Sequence, residues 1–258
     1  MDPILFELEN NIALIRFNRP DKFNSFNREM ALLFQKYLDE AASNDEVRCV
    51  YITANGKAFS AGQDIGELTG TDPVPFDKIL SEHFNPIILK IRALEKPVLC
   101  AVNGVAAGAG ANIALCCDIV IASKSASFIQ AFSKLGLIPD SGGTFFLPRL
   151  IGFQQASAIM MLGDKISATK AAEMGMIYKY FEDDVFESES LAIASNLAQM
   201  PSRGLALTKK ALNQSLQNNL SDQLHLEDTL QYESAQTSDY REGITAFTEK
   251  RKASFTGK

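Results

Sequence analysis

Residues 97–129 run Pro97-Val98-Leu99-Cys100-Ala101-Val102, then Asn103-Gly104-Val105-Ala106-Ala107-Gly108-Ala109-Gly110, then Ala111 to Cys117, then Asp118-Ile119-Val120-Ile121-Ala122 and Ser127-Phe128-Ile129. The first run is a short apolar strand ending in a glycine-rich turn. The segment from Ala111 to Cys117 suits a helix, two further strands follow, and helical patterns resume after Gly142. A unit of strand, strand and helix therefore recurs. That order favours an α/β spiral over a doubly wound sheet, in which single strands and helices alternate. No sequence-identical repeat is visible.

On the N-terminal side, Ile4-Leu5-Phe6-Glu7-Leu8 and Ile12-Ala13-Leu14-Ile15-Arg16-Phe17 read as a hairpin closed by a Glu-Asn-Asn turn. Met30, Leu33, Phe34, Tyr37, Leu38 and Ala41 repeat with helical spacing. Cys49 to Thr53 is a strand, Ala54-Asn55-Gly56-Lys57 a turn, and Ala58-Phe59-Ser60-Ala61-Gly62-Gln63-Asp64 a further strand running into a loop. The polar, proline-containing stretch from Thr69 to Pro75 is expected to be a mobile loop. One long helix is expected from Phe76 to Leu94. From Pro201 onward the chain is helical and more polar, with Leu205, Lys209, Leu212 and Leu216 on one side and a basic end at Lys250-Arg251-Lys252. Residues 1–200 thus form the core and residues 201–258 a helical region whose apolar face must bury against that core or another subunit.

The chain has 258 residues, 46% of them hydrophobic, and a formal net charge of -6. No apolar run approaches the ~18 residues of a membrane span. The start, Met1-Asp2-Pro3-Ile4, has no basic segment leading into an apolar one, so nothing marks secretion. Cys49, Cys100, Cys116 and Cys117 lie in apolar runs without zinc-ligand spacing and read as reduced packing residues of a cytoplasmic protein. The acidic balance weighs against nucleic-acid or membrane partners but leaves room for an anionic ligand held by local lysines. Neither His83 nor His225 has a metal ligand beside it, so no metal is expected.

Residues 128–144, Phe-Ile-Gln-Ala-Phe-Ser-Lys-Leu-Gly-Leu-Ile-Pro-Asp-Ser-Gly-Gly-Thr, set Asp140 between a rigid Ile-Pro step and a glycine pair. A carboxyl group in such a tight, apolar setting is partly desolvated and suited to proton transfer. The competing use is capping the next helix by accepting the N–H of Gly142 or Gly143. With the glycine-rich turn at 103–110, the pattern suggests a site in which main-chain N–H groups hold an oxyanion and Asp140 moves a proton.

The segments Ala58-Phe59-Ser60-Ala61-Gly62-Gln63-Asp64-Ile65, Ala101-Val102-Asn103-Gly104 with Gly108-Ala109-Gly110, Cys117-Asp118-Ile119-Val120, and Leu135-Gly136-Leu137-Ile138-Pro139 with Gly142-Gly143-Thr144 resemble the crotonase (enoyl-CoA hydratase/isomerase) superfamily. The order and spacing hold to Tyr240-Arg241-Glu242-Gly243 and Ala246-Phe247. The resemblance implies a crotonase-like spiral of repeated ββα units with a helical C-terminal trimerisation region, assembled as a homotrimer or homohexamer. It also implies an acyl-CoA thioester as substrate, coenzyme A being part of that substrate and no separate cofactor being needed. The thioester oxygen would be held by the N–H groups of Gln63 and Ala109, each such donor being worth about 3 kcal/mol of transition-state stabilisation. The CoA portion would contact Lys22, Lys57, Ser60, Ala61, Asp64 and Ile65, with Phe247 and Lys250 reaching CoA from the C-terminal region of the same or a neighbouring subunit.

The sequence departs from the hydratases of that family at two places. Their two catalytic glutamates correspond to Asn112 and Phe132, and neither an amide nor a phenyl ring can act as a general base. Hydration is disfavoured, and Asp140 remains as the carboxylate at a position where some isomerases of the superfamily carry their acid. Ala131-Phe132-Ser133-Lys134-Leu135-Gly136-Leu137-Ile138-Pro139-Asp140 and the ending Phe255-Thr256-Gly257-Lys258 resemble the branch that isomerises ring-1,2-epoxyphenylacetyl-CoA to oxepin-CoA in aerobic phenylacetate degradation. Gln63 and Phe132 would then line a pocket for a ring. Two alternatives share the resemblance: a Δ3,Δ2-enoyl-CoA isomerase of fatty-acid oxidation, and a non-catalytic binding protein on the same fold.

Overall fold

Asn10 and Asn11 both take positive φ, 51° and 64°, a conformation asparagine tolerates better than most side chains. They close the hairpin of β1 (Ile4–Glu9) and β2 (Ile12–Phe17). The computed structural model describes residues 2–69 and 73–257. Helix α1 (Arg28–Ser43) begins where the Asn27 side chain accepts the Met30 N–H at 3.0 Å, and it buries Met30, Ala31, Phe34, Leu38 and Ala41. These residues recur at helical spacing, so one face of α1 enters the core.

Strand β3 (Cys49–Ala54) is followed by β4 (Ala58–Ser60) and α2 (Ile65–Thr69), then by α3 (Phe76–Lys78) and α4 (Asn85–Ala93). Strands β5 (Val98–Val102) and β6 (Val105–Ala107) lead into α5 (Ala109–Leu115). Strands β7 (Ile119–Ser123) and β8 (Ser127–Ile129) lead to α6 (Gly143–Ile151) and α7 (Phe153–Leu162), followed by β9 (Lys165–Ser167), α8 (Ala168–Glu173) and β10 (Lys179–Phe181). Two sheets result, in the orders β1-β2-β3-β5-β7-β10 and β4-β6-β8-β9. Each pair β3/β4, β5/β6 and β7/β8 crosses from the first sheet to the second before a helix returns the chain. This is the spiral of ββα units that the sequence order favours.

The central strands of the first sheet are buried on both faces. Val50, Ile52, Val98, Cys100, Val102, Val120 and Ala122 point into the main core. Cys49, Tyr51, Leu99, Ala101 and Ile121 point to the other side, where α9 (Phe186–Gln199) packs on them through Phe186, Ala194 and Ala198. The continuous apolar reading of residues 98–102 follows from this double burial. All four cysteines are buried and free.

The segment expected as one long helix from Phe76 to Leu94 is instead broken by a π-helical stretch, Ile79–Phe84. Pro86 has no N–H for the carbonyl of Glu82, and its ring crowds that carbonyl, so the regular ladder cannot run through. The Gln35 side-chain amide compensates by donating to the carbonyls of Glu82 at 2.7 Å and His83 at 3.1 Å. Of the loop expected from Thr69 to Pro75, residues 70–72 lie outside the described part.

The C-terminal region consists of α10 (Ser202–Ser215), α11 (Leu220–Ala235) and α12 (Ser238–Glu249). Of the face expected to bury, Lys209 is buried, Leu205 and Leu216 are half-buried and Leu212 is 61% exposed in this chain, while Ala206 and Leu207 are buried beside Lys209. Asp118 fixes Lys209 there: its carboxylate takes the Lys209 ammonium, the Arg92 guanidinium and the Val98 N–H, each at 2.8 Å. A half-buried carboxylate demands such partners, and this demand draws Lys209 inward beside Ala206 and Leu207.

Candidate active site

Phe26 and Gln63 form an isolated parallel bridge: the Phe26 N–H donates to the Gly62 carbonyl at 2.7 Å and the Asp64 N–H donates to the Phe26 carbonyl at 2.8 Å. Because extended backbone alternates its groups, the N–H of Gln63 faces the opposite side. The Ser60 hydroxyl pins this turn, donating to the Asn24 carbonyl at 2.9 Å and accepting the Gly62 N–H at 3.2 Å. Gly62 itself has φ +85°, and a Cβ built on it would stand 3.0 Å from the Ala107 oxygen and 3.2 Å from the Ala109 nitrogen. Two loops separated by almost fifty residues thus meet at a position that only glycine leaves open. Ala109 is the first residue of α5, so its N–H has no partner within the helix. Among the described residues neither the Gln63 N–H nor the Ala109 N–H is engaged by a protein acceptor.

Asp140 follows Pro139 and precedes Ser141, which is buried with φ 50°. Its carboxyl accepts the Ser141 hydroxyl at 2.7 Å. The Gly143 N–H at the start of α6 goes to the main-chain carbonyl of Asp140 at 2.8 Å, not to the carboxyl. The helix-capping use therefore falls to the backbone, and the carboxyl stays available. Burial raises its pKa above the usual aspartate value, with the Ser141 hydroxyl pulling the other way. The position matching the first hydratase glutamate, Asn112, is 1% exposed and donates its side-chain amide to the same Asp140 carbonyl at 2.8 Å. Phe132 is buried on the 3-10 turn Ala131–Leu135, with its ring tip 3.7 Å from where a Cβ on Gly108 would be, beside the Ala109 loop.

The Gln63 side chain leads into a polar network that the sequence reading missed. Its amide nitrogen donates to Glu67 Oε2 at 2.9 Å, and Glu67 Oε1 accepts the Arg28 N–H at 2.7 Å. The Arg28 guanidinium pairs with Glu82 and lies 3.2 Å from Nε2 of His83. His83 has no exposed surface, and burial pushes its imidazole below the usual range, so it is neutral near pH 7. The only sequence signal was the spacing of Gln63 and Glu67, which one turn of α2 brings together.

The residues assigned to CoA separate into groups. Lys22 and Lys57 are exposed on adjoining turns, tied by Asn24, whose amide donates to the carbonyls of Asn55 and Ala58 at 2.8 Å each. Ala61 and Ile65 are exposed beside the Gln63 turn. Ser60 is fully buried with its hydroxyl already bonded, so its side chain does not face that surface. Asp64 is spent within the protein, paired with Arg19 at 2.9 Å and accepting the Gly66 N–H at 3.1 Å. Phe247, 88% exposed, and Lys250 lie on and just after α12, where Phe247 lines a separate cleft of about 440 Å³ with Tyr240, Ile244 and Phe255. No group of three or more His, Cys, Asp or Glu among the described residues is placed to hold a metal ion.

A family model described as enoyl-CoA hydratase/isomerase matches residues 7–258. The chain is 44% identical to the 1,2-epoxyphenylacetyl-CoA isomerase of Escherichia coli strain K12, with all of both chains aligned. It is 37% identical to the trans-2-decenoyl-acyl-carrier-protein isomerase of Streptococcus mutans, covering 99% of this chain and 98% of that one. The crystal structure of an enoyl-CoA hydratase from Bacillus anthracis superposes with a TM-score of 0.93 at 30% identity, over 99% of this chain and 100% of that one. With the spiral and the paired glycine loops in place, the chain belongs to the enoyl-CoA hydratase/isomerase family, the crotonase family of acyl-CoA enzymes.

Proposed function

We propose that this protein is an acyl-CoA isomerase whose substrate is ring-1,2-epoxyphenylacetyl-CoA and whose product is oxepin-CoA. One observation carries the reading: Asp140 has a half-buried carboxyl not used for capping, while the two places where a hydratase needs carboxylates hold a bonded amide and a phenyl ring. One proton shuttle serves an isomerisation, which returns the proton it removes. Activating water for addition across a double bond takes the pair.

The N–H groups of Gln63 and Ala109 hold the thioester oxygen, and ionised Asp140 takes a proton from the carbon next to the thioester. The electron pair moves onto the thioester as an enolate stabilised by those two donors. Electron flow back from the enolate opens the epoxide carbon–carbon bond into the seven-membered ring, and protonated Asp140 delivers the same proton to a ring carbon. Atoms and charge balance, and Asp140 ends as it began. Lys22, Lys57, Ala61 and Ile65 form the outer surface along which the CoA portion lies, with any contribution from Ser60 or Asp64 made through the main chain. Phe247 and Lys250, with the open cleft of about 920 Å³ between α10 and α11, belong to the face that meets another subunit in a trimer or hexamer.

A second reading is supported by the 37% identity to a decenoyl-thioester isomerase: the same site moving the double bond of an aliphatic 3-enoyl-CoA. The deciding experiment gives the purified protein enzymatically generated ring-1,2-epoxyphenylacetyl-CoA and, separately, a 3-enoyl-CoA, and follows products by chromatography and mass. Preferential ring expansion supports the first reading, turnover of the 3-enoyl ester alone supports the second, and turnover of neither refutes both. Light scattering reports the assembly; a monomer refutes the subunit contact.

A further inference from the structure

Asn112 occupies a place from which it touches both halves of the proposed machinery. It lies on α5, one turn beyond Ala109, and its own N–H donates to the Gly108 carbonyl at 3.1 Å. Its side-chain nitrogen reaches across to the main-chain oxygen of Asp140 at 2.8 Å, and its side-chain oxygen accepts the Gln130 amide at 2.7 Å. The orientation of this amide is fixed, because a carbonyl can only accept and therefore must face the nitrogen. Asn112 is 1% exposed and Gln130 2%. A Cβ on Gly143 would come within 2.5 Å of the Asn112 nitrogen, so the turn carrying Asp140 is pressed directly against this side chain.

We infer that Asn112, oriented by Gln130, is the positioning residue that sets the separation between the Ala109 N–H and the Asp140 carboxyl. This rests on the reading of Asp140 as the proton shuttle. An ionised glutamate at residue 112 has no hydrogen to give to the Asp140 carbonyl, so the exchange that removes the hydratase carboxylate also supplies the donor that holds the remaining acid. Gly143 fixes the same carbonyl from within the turn at 2.8 Å, whereas Asn112 ties it to the helix that bears the oxyanion donor.

The test compares wild type, Asn112→Ala, Gln130→Ala, Asp140→Asn and the double variant Asn112→Ala with Asp140→Asn. The readouts are turnover of a 3-enoyl-CoA and of the aryl epoxide ester, and deuterium uptake from D2O at the carbon next to the thioester. Displacing a reacting group by about 1 Å costs on the order of a hundredfold. Asn112→Ala should therefore lower kcat by about that factor with KM changed less than about threefold. Its acid limb in the pH–rate profile should move toward the ordinary aspartate value, as water reaches Asp140. Gln130→Ala should fall in the same direction by less, and the double variant should be no slower than Asp140→Asn alone. A folded Asn112→Ala within twofold of wild type, an unmoved pH limb, or losses that multiply in the double variant would overturn the inference. Should Asn112→Ala not fold, an unchanged kcat in folded Gln130→Ala overturns it instead. Wild type inactive on both esters and in exchange would refute the functional reading, a result distinct from any of these.

Discussion

Gly62 and Ala109 approach so closely that a single methyl group on Gly62 would stand 3.2 Å from the Ala109 nitrogen. Gly62→Ala therefore acts twice: it crowds the Ala109 N–H proposed as an oxyanion donor and strains a backbone at φ +85°. Loss of one oxyanion donor costs about 10²–10³ in kcat, and the strain costs about 1–2 kcal/mol. Steady-state rates and thermal melting should show a deep activity loss with only a modest fall in Tm.

Asp140→Asn should lower turnover by roughly 10²–10⁴-fold, leaving a measurable residual rate, while CoA-ester binding, measured by calorimetry, stays within a few-fold. Burial raises the folded pKa of this group above its unfolded value. Stability linked to it is thus greatest below the unfolded pKa and is lost as pH rises toward the folded one, because the folded state then holds more protons than the unfolded. The neutral variant escapes that cost, so at pH 7 Asp140→Asn should melt at or above the wild-type temperature. The wild-type rate should rise with pH along a limb centred above the usual aspartate range.

Lys209→Met should destabilise the protein by about 2–4 kcal/mol, read from urea unfolding. Breaking a buried ion pair leaves a desolvated charge behind, here Asp118, although Arg92 and the Val98 N–H still hold it. The methionine fills the volume of the lysine stem, so the loss reports the ammonium: its pairing with Asp118 and its bonds to the carbonyls of Ile91 at 2.7 Å and Lys96 at 3.3 Å. Because the pair joins α10 to the core, the C-terminal helices should become the first protease-sensitive part of the variant.

Asp239→Ala should release the C-terminal tail. The Asp239 carboxylate accepts the Thr256 N–H at 2.7 Å and the Gly257 N–H at 2.8 Å, and Arg48 holds the Phe255 carbonyl at 3.0 Å from the other side. Amide exchange confined to residues 253–257 should rise by orders of magnitude, with the rate on acyl-CoA esters unchanged. Exchange spreading into α12 would show that the tail also supports that helix.

The order of strands and helices was legible because the ββα unit leaves a local signal: short apolar runs, glycine-rich turns and one helical period in α1. Asp140 was legible through its flanking proline and glycines, which mark special backbone locally, whereas the roles of Gln63 and Ala109 were implied by the family resemblance at their glycine turns. The break at Ile79–Phe84 was harder to see, since the apolar periodicity of residues 76–94 continues through it, and only Pro86 hinted that the ladder could not. The ion pair that draws Lys209 of α10 inward was not legible, for a different reason. Leucine spacing predicts an apolar stripe, but the partner that decides the matter, Asp118, lies about ninety residues away in sequence.

By itself, then, the amino-acid sequence determined the spiral and the two glycine loops, since each depends on neighbours within a few residues, while the missing hydratase carboxylate pair was implied by the family resemblance. Tertiary structure decided whether the Asp140 carboxyl was spent as a cap, where the Asn112 amide pointed, that Lys209 of α10 turned inward, and that Gln63 leads through Glu67 toward Arg28 and His83. These outcomes are set by desolvation and hydrogen-bond pairing between distant segments. Such pairings have no period along the chain, so they become readable only when folding has brought the partners together.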